Sequence, residues 1–372
     1  MYTRYLTKKI NERLDSGKAI VVVGPRQSGK TTLIESILST KEYLFLNGDD
    51  PKTRTLLTEP NTEQLRTLLG NYKYVFMDEA QRIQGIGLTM KIITDRFKHI
   101  QLFASGSSAF DLSNNINEPL TGRKWEFHLY PISWEEYETH HGYLHAVQNL
   151  ENRLLYGFYP DVLNHVGDEI TILRNLVNSY LYKDILAYVD IRKPDVLEKL
   201  VQALALQVGS EVNYSELSQI VNVDKNTISK YIDILEKGYI IFKLSSFSRN
   251  LRNEIKTNKK IYFYDNGIRN MLIGNFNPIE LRGDKGALWE NFLISERMKQ
   301  IEYKQSLSKT YFWRTKQQQE VDFVEEIAGN IYGYEFKWQK KKNQKSPKTF
   351  AETYQAQTNV IDKENFREFV IM

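Results

Sequence analysis

Residues 24–31 read Gly-Pro-Arg-Gln-Ser-Gly-Lys-Thr. They leave an apolar run, Ala19-Ile20-Val21-Val22-Val23, and enter a segment, 31–40, patterned as a helix. A complete G-x-x-x-x-G-K-[ST] loop between a strand and a helix admits few folds. Gly24 and Gly29 let the backbone curl so that successive amides face one anion, and the following helix adds its positive end. Gly24, Pro25, Arg26, Gln27, Ser28, Gly29, Lys30, Thr31 and Thr32 form the expected nucleotide cradle. Within it, Lys30 reaches the outer phosphates and Thr31 holds magnesium.

Short apolar runs at 20–23, 43–46, 74–77, 100–104 and 125–129 read as strands, with helical patterns at 31–39, 62–69 and 88–97 between them. Strands alternating with helices predict a parallel sheet covered on both faces. Near-continuous apolar strands fit that double cover. After Pro131 the pattern changes. Ser133-Trp134-Glu135-Glu136 reads as a capping box, and a mostly helical stretch follows. Residues 195–245 then read helix, capped short helix (214–221), turn, third helix (225–237) and strand, the pattern of a winged helix. Beyond 246 lie strands at 260–264, 310–313, 320–324 and 331–338 and a long helix at 286–302.

The run 74–77 feeds Asp78-Glu79. A phosphate loop needs such a pair: Asp78 for the magnesium shell, Glu79 to polarise the attacking water. The run 100–104 ends in Ser105-Gly106-Ser107-Ser108, where Ser105 or Ser107 is placed to sense a terminal phosphate. Gly122-Arg123 offers an arginine that stabilises charge on the transferred phosphoryl group, in cis or in trans. The catalytic set is therefore Lys30, Glu79 and Arg123, with Thr31 and Asp78 at the metal.

These motifs, with Pro131-Ile132-Ser133-Trp134-Glu135-Glu136, resemble in content and order a bacterial and archaeal family of AAA-type ATP-binding proteins that carry a C-terminal domain of unknown function. The resemblance extends through Tyr156-Gly157-Phe158-Tyr159-Pro160, Tyr182-Lys183-Asp184-Ile185, the stretch from Lys260 to Asn270, and Gly286-Ala287-Leu288-Trp289-Glu290-Asn291-Phe292. It implies an AAA-like ATPase core, a winged helix and a restriction-endonuclease-like α/β domain, and it names no settled substrate. Preference for ATP over GTP also comes from the resemblance, since no guanine-reading N-K-x-D stands in the expected place. The expected organisation is a P-loop core at 1–145, a helical linker at 146–194, a winged helix at 195–245 and the endonuclease-like domain at 246–372.

A second acidic site is expected in that last domain. Period-two alternation puts Glu320 and Asp322 on one face of one strand, and Glu335 and Lys337 on one face of another. Should the strands pair, Asp322, Glu335 and Lys337 converge, with Glu290 adding a carboxylate from the helix before them. The D…E-x-K order resembles the nucleases with a P-D-(D/E)-x-K signature, although Val321 stands where that signature has its proline. Two carboxylates with a lysine can serve a metal, and equally can be cross-strand decoration.

Charge adds a partner class. Residues 241–372 hold 23 Lys and Arg against 16 Asp and Glu, a net +7, while the rest of the chain is net −3. With Lys225, Asn226, Ser229 and Lys230 on the third helix of the winged-helix segment, and the Lys-rich stretch 340–348, this points to DNA. Absence of Cys agrees with a reducing cytoplasm and, with six scattered His, excludes a zinc ribbon. No apolar run approaches the ~20 residues of a membrane span, and no signal-peptide core opens the chain. The reading is thus an ATP- and Mg²⁺-dependent ATPase that couples hydrolysis to DNA. An ATP-gated nuclease and a nucleotide-sensing scaffold for a protein partner are the alternatives, and homo-oligomerisation is left open.

Overall fold

The computed structural model describes residues 1–106, 119–179, 194–248, 259–339 and 347–371. Ser107, Ser108, the stretch Tyr182-Lys183-Asp184-Ile185 and most of the Lys-rich stretch 340–348 lie outside the described residues. The chain divides into two compact units, Met1–Ile132 with Lys237–Tyr239, and Ser133–Glu236 with Ile240–Met372.

The first unit is a five-stranded parallel sheet in the order β2-β3-β4-β1-β5. Its strands are β1 (Ala19–Val23), β2 (Tyr43–Asn47), β3 (Tyr74–Asp78), β4 (Gln101–Gly106) and β5 (Lys124–His128). All five residues of β1 are buried, as a central strand covered on both faces requires. Helices α1 (Tyr5–Asn11), α2 (Lys30–Leu38), α3 (Pro51–Leu57), α4 (Thr62–Leu69) and α5 (Ile86–Arg96) complete the unit. Sequence reading passed over α3, though its signals are local: the Asp50 carboxylate accepts from the amides of Lys52 and Thr53, and Pro51 takes the first turn. The parallel register sets Val22 beside Ser105 and Asn47 beside Asp78. The carboxyl ends of β1, β3 and β4 therefore open on one edge, where ligands of such sheets bind.

The second unit opens with α6 (Trp134–His141), whose capping box forms as read, Ser133 Oγ accepting from the Glu136 amide and Glu136 from that of Ser133. Helices α7 (Tyr143–Gln148), α8 (Leu150–Tyr156), α9 (Pro160–Asn164) and α10 (Glu169–Val177) follow. Next come α11 (Pro194–Leu206), β6 (Glu211–Val212), α12 (Tyr214–Val221), α13 (Lys225–Lys237), β7 (Ile241–Ser246) and β8 (Lys259–Phe263). The apolar stripe of α13, Ile228, Ile232 and Leu235, is buried. The chain ends with α14 (Asn266–Leu272), α15 (Lys285–Lys304), β9 (Lys309–Arg314), β10 (Glu320–Ile327), β11 (Asn330–Phe336), α16 (Lys348–Tyr354), β12 (Gln357–Ile361) and α17 (Phe366–Val370). One mixed sheet, β12-β11-β10-β9-β7-β8-β6, runs across position 246, because β7 pairs in parallel with β9.

Two of the stretches that carried the resemblance meet as a packing node. The Asp265 carboxylate caps α14 and accepts the Phe158 amide at 2.7 Å. Asn270 donates to the carbonyls of Leu154 and Leu155. Gly157 has φ +74°, and a Cβ there would meet Asp265 at 2.0 Å, so only glycine fits. These residues are conformational requirements of the second unit.

Candidate functional sites

The loop leaving β1 curls as its glycines permit. Gly24 brings its backbone so close to Leu129 that a Cβ would lie 2.0 Å from the Leu129 carbonyl oxygen, and Gly29 has φ +93°. Lys30 opens α2 and is buried; its ammonium donates to the carbonyls of Gly24 (3.0 Å) and Pro25 (2.8 Å). Pro25 and Ser28 are buried, Arg26 and Thr31 half-buried, and Gln27 and Thr32 exposed. Among the described residues the Ser28 hydroxyl is buried without a hydrogen-bond partner. A loop folded around a lysine that donates to two of the loop's own carbonyls, with an orphaned hydroxyl, fits an anionic phosphate chain.

The metal-side residues converge as well. Thr31 Oγ1 stands 3.1 and 3.0 Å from the two oxygens of Asp78. Ser105, on β4 between β1 and β3, donates to Asp78 and accepts the Glu79 amide at 3.3 Å. Ser105 thus fixes the acid pair. Glu79 itself has φ +48°, uncommon for a residue with a side chain. Its carbonyl lies where a Cβ of residue 48 would be 2.3 Å away, which only Gly48 permits. The Glu79 carboxylate accepts from the Gln81 amide, a residue to which the sequence assigned no role of its own.

Arg123 stands away from the phosphate loop of its own chain. It precedes β5, at the end of the sheet where β1 begins, with its carbonyl accepting the Ala19 amide. The phosphate loop leaves the other end of β1. Arg123 Nε donates to Asp95 at 2.8 Å and thereby holds the Asp95 carboxyl below its ordinary range. A side chain tied to the opposite edge does not reach the phosphates of its own chain.

The C-terminal residues gather, but around a lysine. Glu290 on α15 and Glu320 on β10 both pair with the Lys260 ammonium, at 3.3 and 2.5 Å, and Tyr262 donates to Glu290 at 2.6 Å. Lys260 and Tyr262 alternate onto one face of β8. Asp322 accepts the Phe336 amide at 2.8 Å, beside a register shift between Val321 and Val324 that re-aims it. Lys337 pairs with Glu335 at 3.3 Å. Burial pushes the Glu290 carboxyl up to about 7, against the pull of Lys260, with Asp322 adding to the rise. Burial raises Asp322, and burial with Asp322 raises Glu335. Desolvation opposes the charge on Lys260, but Glu290, Glu320 and Asp322 outweigh it and raise its pKa. Among the described residues no group of three His, Cys, Asp or Glu is arranged to hold a metal ion. Of the expected residues, Glu290 is thus paired with Lys260 and Glu335 with Lys337, while Asp322 accepts a backbone amide. Lys260, the buried second residue of a strand that reads Lys-Lys-Ile-Tyr-Phe, was the residue that sequence reasoning missed.

Residues 16–138 match the family model described as an AAA domain. Residues 147–278 and 285–370 match two domains of unknown function, DUF8612 and DUF4143. An uncharacterized protein of Mycobacterium tuberculosis is 26% identical over 334 residues, 88% of this chain and 72% of its own. One of Haemophilus influenzae is 26% identical over 338 residues, 84% of this chain and 80% of its own. The Walker-type ATPase of Pyrococcus abyssi superposes on 73% of this chain and 96% of its own, with a TM-score of 0.51 at 16% identity, a likeness of fold. No helix among the described residues is long and apolar enough to cross a membrane. The AAA-domain match and the shared α/β architecture together support an ATPase of the AAA-type, P-loop kind.

Proposed function

We propose that the chain binds ATP with Mg²⁺ in the loop 24–32, hydrolyses it, and couples hydrolysis to DNA engagement by its second unit. One observation carries this reading: buried Lys30 rests on the loop's own carbonyls while Thr31 meets Asp78, on the open edge of a parallel sheet. Lys30 exchanges two neutral carbonyls for phosphate oxygens. Thr31 and Asp78 hold the cation, which draws charge from the phosphates when bound. Glu79 turns from Gln81 to accept a proton from the attacking water. The second unit supplies a winged helix whose α13 exposes Lys225, Asn226 and Lys230, with Ser229 half-buried, to touch backbone phosphates and base edges. Its endonuclease-like C-terminal part is read as a binding module, with Lys260 paired to Glu290, the carboxylate that would complete a metal set.

Phosphate release measured with and without DNA tests the proposal. Wild type releases phosphate faster with DNA. Glu79→Gln retains ATP and loses roughly 10²-fold in turnover, the scale of a general base. No release under either condition contradicts the reading.

A further inference from the structure

We propose that Arg4 is a positioning residue of the phosphate cradle, an inference that rests on the ATP-binding reading above. Arg4 immediately precedes α1, and its side chain is buried. Nη1 donates to the Ser28 carbonyl at 2.8 Å and Nη2 to the Tyr130 carbonyl at 2.6 Å. A buried guanidinium is costly unless partners meet it, and here two partners are backbone carbonyls of the loop and of the segment after β5. The loop is thus tied to one segment at both ends. Gly24 abuts the Leu129 carbonyl, and the Leu129 amide donates to Val23 at 2.8 Å. Ser28 is joined to the neighbouring Tyr130 through Arg4.

The consequence follows from peptide planarity. In a trans peptide the carbonyl and the next amide point in opposite directions. With the Ser28 carbonyl turned to Arg4, the Gly29 N–H is turned the other way, out of the guanidinium's side of the loop. Arg4 Nη1 would also stand 3.6 Å from a Cβ on Gly29, so the guanidinium backs directly on the turn. Arg4 therefore fixes the orientation of a cradle amide and sets a permanent, delocalised positive charge behind it. Lysine preserves the charge but not the planar fork that spans two carbonyls.

The test is ATP calorimetry and steady-state phosphate release on the full chain for wild type, Arg4→Lys, Arg4→Ala and Ile10→Ala. Ile10 is a buried residue of α1 and serves as a control for general loosening of that helix. Arg4→Ala is expected to weaken ATP binding at least tenfold and to raise KM, Arg4→Lys to fall between it and wild type, and millimolar guanidinium to restore Arg4→Ala in part. Ile10→Ala is expected to lower Tm with ATP affinity within twofold of wild type. Wild-type ATP affinity in folded Arg4→Ala, or an equal affinity loss in Ile10→Ala, overturns the inference. Should Arg4→Ala fail to fold, wild-type affinity in Arg4→Lys overturns it instead. Failure of wild type itself to bind ATP overturns the prior reading.

Discussion

Two buried lysines divide the molecule's chemistry. Lys30 in the first unit and Lys260 in the second are both nearly inaccessible, 5% and 2% exposed. Lys30 donates to two neutral carbonyls of its own loop. Lys260 is embraced by Glu290 and Glu320, with Tyr262 completing the Glu290 shell. The same side chain thus meets backbone carbonyls in one setting and carboxylates in the other.

Substitution at Lys30 breaks the comparison most severely. Lys30→Ala is expected to abolish measurable turnover, a loss of at least about 10²-fold for a donor aimed at developing charge, checked by phosphate release. Its effect on stability is expected to be about 1 kcal/mol, the scale of the hydrogen bonds to the two carbonyls that it removes. Lys260→Met inverts this pattern. It strands Glu290 and Glu320 and is expected to cost roughly 3–5 kcal/mol in urea unfolding, with nucleotide affinity of the folded protein unchanged.

Asp284 sharpens the point on a smaller scale. Burial disfavours its charge, but hydrogen bonds from Arg282 and Arg269 win and hold the carboxyl at about 2, against 3.8 unperturbed. A depressed pKa stabilises above the unfolded value, so this contribution is whole above pH 3.8 and fades as pH falls towards 2. Asp284→Asn is expected to remove about 1 kcal/mol at pH 7, discounted for its partial exposure, and to flatten the stability profile across that acid window. Arg123→Ala is the smallest effect. Turnover within about twofold of wild type follows from its place at the far edge of the sheet, whereas a loss approaching an arginine finger's ~10³-fold would mean that a second copy supplies it.

The sheet of the first unit and its loop were legible because their signals are local. Apolar runs ending in Gly24 or in Asp78-Glu79 state both the strand and what its carboxyl end carries. Parallel pairing then brings those ends together. What escaped depends on distant partners. Nothing near Arg4 announces the carbonyls of Ser28 and Tyr130. The pairing of β7 with β9 joins segments 245–246 and 311–312, which no local period encodes. The polar edge strand β12 (Gln-Thr-Asn-Val-Ile) has too weak an alternation to stand out. The acidic cluster was half legible: alternation set Glu320 and Asp322 on one face, but the lysine that pairs with Glu320 comes from β8.

The central claim is that the loop after β1 holds a triphosphate through Lys30 and a cation through Thr31 and Asp78. Calorimetry of the Glu79→Gln chain with ATP and Mg²⁺ tests it most directly. One ATP per chain, with binding lost in the Lys30→Ala, Glu79→Gln double variant, is the predicted result; no heat of binding with or without Mg²⁺ would contradict it.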